Sequence, residues 1–271
     1  MNNLRHIGLV LLFLLASLNG TATERLSVLT WNTARMGGFQ KPEKNEVLQF
    51  LMAQDADVIC LQEVDVYKDA RYLTLPEVKK TLSKKYPYSY LDFSVYDKRH
   101  QFGTMVWSKY PLVNKQSIHY ESRGNLSNRC DIVVPNDTIR LFNNHLESYS
   151  FTPGDLESMD LIRVKWRRAI PLRNKQAQVV RKEIEASPHP VIVVGDFNSV
   201  ALSFAYWHIS RGLHDAWNTV HPWSWGATYE YKGIGLRIDY ILCSDPLKPV
   251  ACKVQKTTGS DHKPVVATLE W

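Results

Sequence analysis

The chain has 271 residues, of which 44% are hydrophobic and 22% are charged, and its net charge is +6. This composition is typical of a globular protein and excludes a disordered or fibrous chain, and we favour one large domain over two small ones. The positive charge favours anionic partners such as phosphates, nucleic acid or an acidic membrane face.

The first 22 residues have the features of a secretory signal peptide. A short polar start with Arg5 is followed by the apolar stretch IGLVLLFLLASL and by the small residues Gly20 and Ala22. That stretch is too short to span a bilayer comfortably, and no cysteine near it would carry a lipid. We therefore expect an exported protein, secreted or periplasmic, whose folded domain comprises residues 23–271.

Short apolar segments recur along the rest of the chain and predict strands. They lie at 26–31, 58–61, 104–107, 139–142, 191–194, 238–242 and 265–269. Amphipathic helices are predicted in KNEVLQFLMAQ, in LPEVKKTLSKKY with Pro76 in the first turn, and over 155–186 with an interruption at Pro171. Many strands covered by a few helices predict a layered α/β sandwich rather than a regular βαβ alternation.

The predicted helix over 155–186 carries a run of basic residues between Arg163 and Lys182. Such a run could follow the phosphates of a nucleic acid. A solvated helix face, whose long side chains pack their stems against the protein, explains the same pattern, and we favour that interpretation from sequence alone.

The four cysteines do not have the spacing of a zinc site. Cys60 is expected to be a small core residue. Cys243 and Cys252 lie in YILCSDPLKPVACKV, which resembles two neighbouring strands joined by a turn. A disulfide between them is left open by the sequence, since an exported chain permits one.

Polar side chains that can carry chemistry lie at the ends of most predicted strands. Rigid strand ends that reach solvent are common places for sites, although each such group taken alone is also a common turn-former or cap. Asp239 differs, because a carboxylate flanked by Ile238 and Ile241 costs several kcal/mol unless it is paired. The full set is Asn32, Gln62, Glu63, Asn143, Asn144, His145, Asp196, Asn198, Asp239, Asp261 and His262.

The carboxylates of this set suit metal-assisted hydrolysis of a phosphoester. Glu63 and Asp261 are hard oxygen ligands of the kind that Mg²⁺ and Mn²⁺ prefer. A metal bound there would polarise a phosphoryl oxygen. Asp196 is placed to orient or deprotonate an attacking water, and Asn198 to hold that water or the phosphate.

Two histidines add acid–base groups, and motifs for competing chemistries are missing from the sequence. His262 paired with Asp239 would give a positioned imidazole whose charged form is stabilised, and His145 adds a second donor.

The sequence has no G-x-S-x-G, H-E-x-x-H or G-x-x-x-x-G-K-[ST] motif, so serine hydrolase, zincin and P-loop interpretations lack their defining residues.

Six short motifs, taken in order over about residues 26–271, resemble those of the endonuclease/exonuclease/phosphatase superfamily. They are W-N at 31–32, L-Q-E at 61–63, N-H-L at 144–146, G-D-F-N-S at 195–199, R-I-D-Y-I at 237–241 and S-D-H-K-P-V at 260–265. Each motif alone is weak, and six in order are strong. The resemblance implies a four-layered α/β sandwich, with two packed, mostly antiparallel sheets flanked by helices and a divalent cation bound between the sheets.

The resemblance also implies a role for each matching residue. Asn32, Glu63 and Asp261 match metal-side residues, with Mg²⁺ or Mn²⁺ as the expected cofactor. Asp196 and Asn198 match the water-activating and phosphate-orienting pair. His262 and Asp239 match the His–Asp dyad, and His145 matches the second histidine. Arg129, and Tyr67 or Tyr96, are candidates to reach phosphate, although no family motif aligns with them. Arg173 and Gln176 match a helix pattern to which we assign a structural role.

The shared core implies a reaction but not a substrate, because members of the superfamily cleave DNA, RNA, sphingomyelin or inositol phosphates. Leu236 stands where abasic-site nucleases carry a bulky aromatic residue, which argues against that specialisation. Trp217, Trp223 and Trp225 resemble the aromatic hairpin of membrane-active sphingomyelinases, although core packing explains at least one of them.

Three functional hypotheses follow. The leading one is an exported, metal-dependent phosphodiesterase, with nucleic acid as the favoured partner. The alternative is a lipid or small-molecule phosphoesterase on the same core. A catalytically dead binding module is disfavoured, because every acid–base and metal position is filled.

Overall fold

The computed structural model describes residues 23–38, 40, 42–122, 124–149, 158–231 and 233–271. The segment interpreted as a signal peptide lies outside these residues. Within them no helix is both long and apolar enough to cross a membrane.

The described strands form two six-stranded sheets and a small two-stranded pair. The first sheet has the order β13-β14-β1-β2-β4-β3 and the second β5-β6-β7-β8-β12-β9, while β10 pairs with β11. Neighbouring strands are antiparallel except for the parallel pairs β1–β2 and β7–β8. The strands are β1 (Arg25–Asn32), β2 (Val58–Tyr67), β3 (Tyr88–Tyr96), β4 (His100–Ser108), β5 (Leu112–His119), β6 (Leu126–Val134), β7 (Asp137–His145), β8 (Val191–Asp196), β9 (His214–Asp215), β10 (Tyr229–Tyr231), β11 (Ile234–Leu236), β12 (Asp239–Cys243), β13 (Lys248–Val254) and β14 (Val265–Glu270).

Helices cover the outer face of each sheet, so the molecule has four layers. The helical segments are the left-handed turn α1 (Ala34–Gly37), a 3₁₀ turn (Pro42–Lys44), α2 (Glu46–Ala53), α3 (Leu75–Leu82), α4 (Met159–Glu185), α5 (Phe204–Ser210) and α6 (Ala216–Val220). α2 and α3 pack their apolar faces on the first sheet, as Leu48 and Val78 show. α4 and α5 pack on the second sheet through Val180 and Ile209. The predicted sandwich of two mostly antiparallel sheets is confirmed.

A third apolar cluster fills the space between the two sheets. Val28 and Cys60 of the first sheet meet Leu141 and Val194 of the second there. The seven predicted strands are all present, because each buries a run of apolar side chains. β5 is among the strands that were missed, since its central residues are exposed and polar and give no apolar period.

Pro171 does not interrupt the long helix, contrary to prediction. α4 is continuous from Met159 to Glu185 with Pro171 inside it. An interior proline removes a hydrogen bond and costs about 3 kcal/mol. The buried residues on either side of it, such as Ala169 and Arg173, anchor the helix on the sheet and offset that cost.

The cysteines are free thiols, and the arrangement considered for Cys243 and Cys252 is wrong. Cys243 lies on β12 in the second sheet, whereas Cys252 lies on β13 in the first, so the two strands are not a hairpin. The Cys243 thiol instead donates to the carbonyl of Leu247 at 3.3 Å. Cys60 is a core residue, as predicted.

Candidate active site

The strand pairing brings the predicted site residues to one end of the sandwich. Asn32 ends β1, and the parallel partner strand β2 carries Glu63 just beyond the paired Gln62. In the second sheet, Asp196 of β8 pairs with His145 on one side and with Asp239 on the other. The two sheets therefore face each other across a polar gap at this end.

Two backbone features direct side chains into that gap. A bulge in β2 between Leu61 and Val64 leaves Glu63 in a left-handed conformation with φ 49°. Bulges commonly re-aim a side chain next to a site. Gly195 precedes the site carboxylate Asp196 with φ 128°, and a Cβ there would lie 2.0 Å from the carbonyl oxygen of Asn144. Only glycine fits between these strands.

Asp196 is the centre of the hydrogen-bond network. The Asn32 side-chain amide donates to Asp196 Oδ2 at 2.9 Å, and Asn198 donates to both carboxylate oxygens, from its backbone N at 2.7 Å and its side-chain amide at 3.1 Å. Asn198 also donates to the carbonyl of Leu146 at 3.0 Å. Asp196 is almost fully buried, so this network fixes its orientation.

His262 and Asp239 form the predicted dyad. His262 Nδ1 lies 2.9 Å from Asp239 Oδ2, and His262 Nε2 lies 3.8 Å from Asp196 Oδ2. Burial disfavours the charged imidazole, but the carboxylates of Asp239 and Asp196 raise the pKa of His262 to about 10. The ring is therefore protonated at neutral pH and acts as a cationic donor. Thr228 accepts a hydrogen bond from the Asp239 backbone N at 3.2 Å.

Glu63 and His145 form a second acid–histidine pair. His145 Nε2 lies 3.4 Å from Glu63 Oε1, which also receives the Asn32 amide at 3.2 Å. Burial opposes ionisation of Glu63, but His145 and Asn32 lower its pKa to about 2. Burial likewise disfavours charge on His145, whose pKa is nevertheless raised by Glu63 and Asp196. Glu63 is therefore a carboxylate at neutral pH.

Some of these groups line a cleft of about 540 Å³. The polar part of the lining includes Glu63, Asp196, Asn198, Asp261 and His262. Asp261 is exposed, in contrast to the others. The rest of the lining is largely apolar and aromatic, and includes Tyr149, Trp166, Val200, Tyr229, Leu236 and Ile238.

The donor set fits a hard divalent cation. Glu63 is ionised and fixed in place, and Asp261 offers an exposed carboxylate on the same cleft. Oxygen donors with room for water are what Mg²⁺ and Mn²⁺ require. Asn32 supports Glu63, because its amide nitrogen faces the carboxylates while its Oδ1 accepts from the Ala34 backbone N at 3.0 Å.

A buried cluster of possible ligand atoms lies beside that pair. Asp196, Asp239 and His262 each offer one within 4.8 Å of one another. Asp239 and His262 are already bonded to each other, which fits an acid–base dyad better than a three-ligand cation site.

Arg129 is not brought to the cleft. Its guanidinium Nε lies 3.0 Å from Glu183 Oε2, and a terminal nitrogen donates to Gln116. β6 carries this side chain toward α4 rather than toward the strand ends, so it is not among the residues that line the cleft.

Arg173 and Gln176 hold the loop after β7 against α4. Arg173 Nε donates to the carbonyl of Glu147 at 2.6 Å, and the Glu147 backbone N donates to Gln176 Oε1 at 2.7 Å. Arg173 also donates to the hydroxyl of Ser199 at 3.1 Å. These bonds support the structural role expected from sequence.

Arg35 was missed by the sequence analysis, although it lines the cleft. It follows Asn32 by three residues, and no period or motif distinguishes it from other surface arginines. A buried carboxylate, Asp65, lies 3.1 Å from its guanidinium Nε. The only signal for Arg35 in the sequence was its future partner Asp65, an acidic residue within the apolar stretch that follows L-Q-E.

The layered fold defines the class of protein as an α/β sandwich with acidic and histidine side chains gathered at one end of its strands. The model of the Endonuclease/Exonuclease/phosphatase family matches residues 29–262, and the chain belongs to this family. The resemblance inferred from the six motifs is thereby confirmed. The family comprises hydrolases that act on phosphoesters, and divalent metals are general among them.

Known proteins of this family are similar over most of the chain. An exodeoxyribonuclease of Bacillus subtilis (strain 168) is 25% identical, over 89% of this chain and 98% of its own. An endonuclease/exonuclease/phosphatase from Beutenbergia cavernae DSM 12333 has a TM-score of 0.70 at 18% identity, covering 90% of this chain and 71% of that one. Truncated Caenorhabditis elegans TDP2 has a TM-score of 0.64 at 22% identity, covering 90% and 97%. The two structures support the fold.

Proposed function

We propose that this protein is an exported, Mg²⁺- or Mn²⁺-dependent phosphodiesterase that hydrolyses nucleic acid. The observation that carries the proposal is the placement of Asp196, which is held by Asn32 and Asn198 and lies 3.8 Å from the imidazole of His262. A fixed carboxylate beside a cationic donor, at the edge of an open cleft, suits attack by water on a phosphoester.

Each side chain has a task in this proposal. Asp196 orients the attacking water and accepts its proton, while Asn198 orients the phosphate. His262, charged and fixed by Asp239, donates to the phosphoryl oxygens as negative charge builds there. His145 holds Glu63 in place and adds positive charge behind it.

Glu63 and Asp261 would hold the cation. When bound there, Mg²⁺ or Mn²⁺ supplies Lewis-acid polarisation of a phosphoryl oxygen and screens its charge. The ionised state of Glu63 supports this assignment, because a carboxylate that is protonated at neutral pH would bind a hard cation poorly.

Nucleic acid is the substrate that the proposal favours. The net charge of +6 supports polyanion binding, and the Bacillus subtilis relative is an exodeoxyribonuclease. Export rests on the sequence of residues 1–22. It predicts that the protein expressed from its own leader appears outside the cytoplasm, shortened at its N-terminus, and an intact chain in the cytosolic fraction would contradict it.

A lipid phosphodiesterase is the second candidate, and exposed tryptophans favour it. Trp223 and Trp225 are 97% and 61% exposed, while Trp217 packs against the core between the sheets. Exposed indoles of this kind insert readily into a membrane interface. Single indoles are also common on protein surfaces, so the nuclease remains the proposal.

The test is an activity panel on duplex DNA, single-stranded DNA, RNA, sphingomyelin and a phosphomonoester, each with Mg²⁺ and with excess EDTA. Metal-dependent cleavage of a nucleic acid, with weak or no action on the others, is the expected result. Cleavage of sphingomyelin alone would replace the proposal with the second candidate. Inactivity on every substrate would support the binding-module hypothesis.

A further inference from the structure

The guanidinium of Arg35 is held by an ion pair on one edge and is exposed to the cleft on the other. Its Nε lies 3.1 Å from Asp65 Oδ2, yet its side chain is 55% exposed and lines the cleft. Among the described residues, neither terminal nitrogen of Arg35 has a hydrogen-bond partner. Those nitrogens form the planar fork that matches two oxygens of a phosphate.

Asp65 is a buried anchor for this arginine. Its side chain has no exposed area, and three groups surround it: Arg35, His100 with Nδ1 at 2.6 Å, and the hydroxyl of Tyr67 at 3.1 Å. A buried carboxylate needs such partners to offset its desolvation. His100 and Tyr67 hold the carboxylate from the side of the sheet, so Asp65 fixes one edge of the guanidinium and leaves the other open.

The backbone at Arg35 is held in an unusual conformation. Ala34, Arg35 and Met36 all have positive φ, at 42°, 63° and 56°. Each such residue costs free energy without a compensating contact, and this kind of strain concentrates at functional sites. Met36 is fully buried, and Asn45 donates to its carbonyl at 2.8 Å, so packing holds the turn in place.

The acidic lining of the cleft indicates how Arg35 would contribute to binding an anionic substrate. Glu63, Asp196 and Asp261 line it, whereas Arg35 is the only Lys or Arg in its lining within the described part of the chain. Three carboxylates repel an anionic substrate. Together with the cationic His262, a permanent cation in the same cleft offsets part of that repulsion and attracts a phosphate.

We propose that Arg35, positioned by Asp65, binds two oxygens of a substrate phosphate through its two terminal nitrogens. The inference rests on the proposed phosphoesterase function and assigns to Arg35 the part that the sequence suggested for Arg129. Arg35 contacts the substrate directly, while Asp65 is a positioning residue.

The test compares Arg35→Met with wild type in two separate measurements. One is binding of a fluorescein-labelled duplex oligonucleotide, followed by anisotropy with the Asp196→Asn change in both proteins and across a salt series. The other is turnover of the same oligonucleotide without that change, inhibited by inorganic phosphate. Arg25→Met is the matched control, because Arg25 is an exposed arginine at the opposite end of β1 that pairs with Glu270.

Loss of a charge-assisted hydrogen bond predicts that Arg35→Met weakens oligonucleotide binding and phosphate inhibition by about 10- to 100-fold. The slope of log Kd against log salt should fall by about 0.9, as for one lost phosphate contact. Arg35→Lys should recover part of the affinity. Asp65→Asn, if folded by circular dichroism, should keep the salt slope but weaken binding, because the charge remains while its position is lost.

Unchanged oligonucleotide affinity and salt slope in Arg35→Met would overturn the inference, whatever the wild-type activity. Equal losses in Arg25→Met and Arg35→Met would also overturn it, since a general charge effect would then explain both. A wild-type protein that binds the oligonucleotide through Arg35 but cleaves no substrate would leave the inference standing and reject the proposed function.

Discussion

His262 and Asp239 are 23 residues apart in sequence, yet their side chains lie 2.9 Å apart, and the free ring nitrogen of His262 points toward Asp196 at 3.8 Å. β12 supplies Asp239, and the segment before β14 supplies His262, so the dyad joins the two sheets. The acid–base group of this site is therefore a product of sheet packing.

Substitution of either member of the His262–Asp239 dyad should lower turnover. His262→Ala should lower kcat by about 10²- to 10⁴-fold, because a charged donor is removed from the reacting phosphate. Asp239→Asn should have a smaller effect in the same direction. His214→Ala, at a half-buried histidine that pairs with Asp245, is the control and should retain activity. Wild-type turnover in a folded His262→Ala protein would remove His262 from the mechanism.

Activity should depend on a divalent metal ion, and the affinity for that ion should depend on Glu63. Activity should disappear in EDTA and return with Mg²⁺ or Mn²⁺. Glu63→Gln should raise the Mg²⁺ concentration needed for half-maximal activity by about 10-fold or more, because an anionic ligand is lost. Glu43→Gln, on an exposed turn, should not. Full turnover without metal, or tightly held zinc by elemental analysis, would contradict this prediction.

The substrate class should be visible in the salt dependence of binding. In the Asp196→Asn protein, log K for duplex DNA should fall with log salt at a slope of about −0.9 for each phosphate neutralised. Binding to sphingomyelin vesicles through inserted indoles would respond little to salt. Vesicle binding lost in Trp223→Ala and Trp225→Ala, together with weak and salt-independent DNA binding, would favour the lipid enzyme.

The buried ion pair between Asp131 and Arg140 predicts sensitivity to acid. Burial alone would raise the pKa of Asp131, but Arg140 at 2.7 Å and Asn114 lower it below its usual value of 3.8. The pair therefore stabilises the fold above pH 3.8, and this stabilisation is lost as pH falls through the depressed pKa.

Asp131→Asn should cost about 3 kcal/mol at pH 7 and show a smaller fall in Tm than wild type when pH drops from 5 to 3. Thermal unfolding across that range measures both effects. Asp69→Asn, at an exposed pair with Arg71, should follow the wild-type profile. Parallel profiles for wild type and Asp131→Asn would show that the pair does not set acid stability.

Gly195 should tolerate no side chain. Gly195→Ala would place a Cβ 2.0 Å from the Asn144 carbonyl, so β7 and β8 must separate, at a cost of about 3 kcal/mol or more. Gly212→Ala is the matched control, because φ is also positive there, at 75°, but nothing lies within 4 Å of the added carbon. Equal Tm losses in the two variants would indicate that backbone strain, not the clash, decides.

The sequence by itself determined the layered sandwich and most of the site. Runs such as Val191–Val194 bury β-branched side chains on both faces, which allows little other than a central strand. Glu63, Asp196, Asn198 and Asp239 could be found because each follows or interrupts an apolar run, where a polar group is costly without a partner. His262 could be found because it lies just before the last apolar run.

Only the tertiary structure decided which polar groups meet. Arg129 and Arg35 look alike in sequence, yet β6 directs one to Glu183, and a left-handed turn directs the other to the cleft. Cys243 and Cys252 are close along the chain, but their strands belong to different sheets. The physical reason is that strand order and backbone handedness depend on contacts between distant residues, whereas periodicity records only local burial.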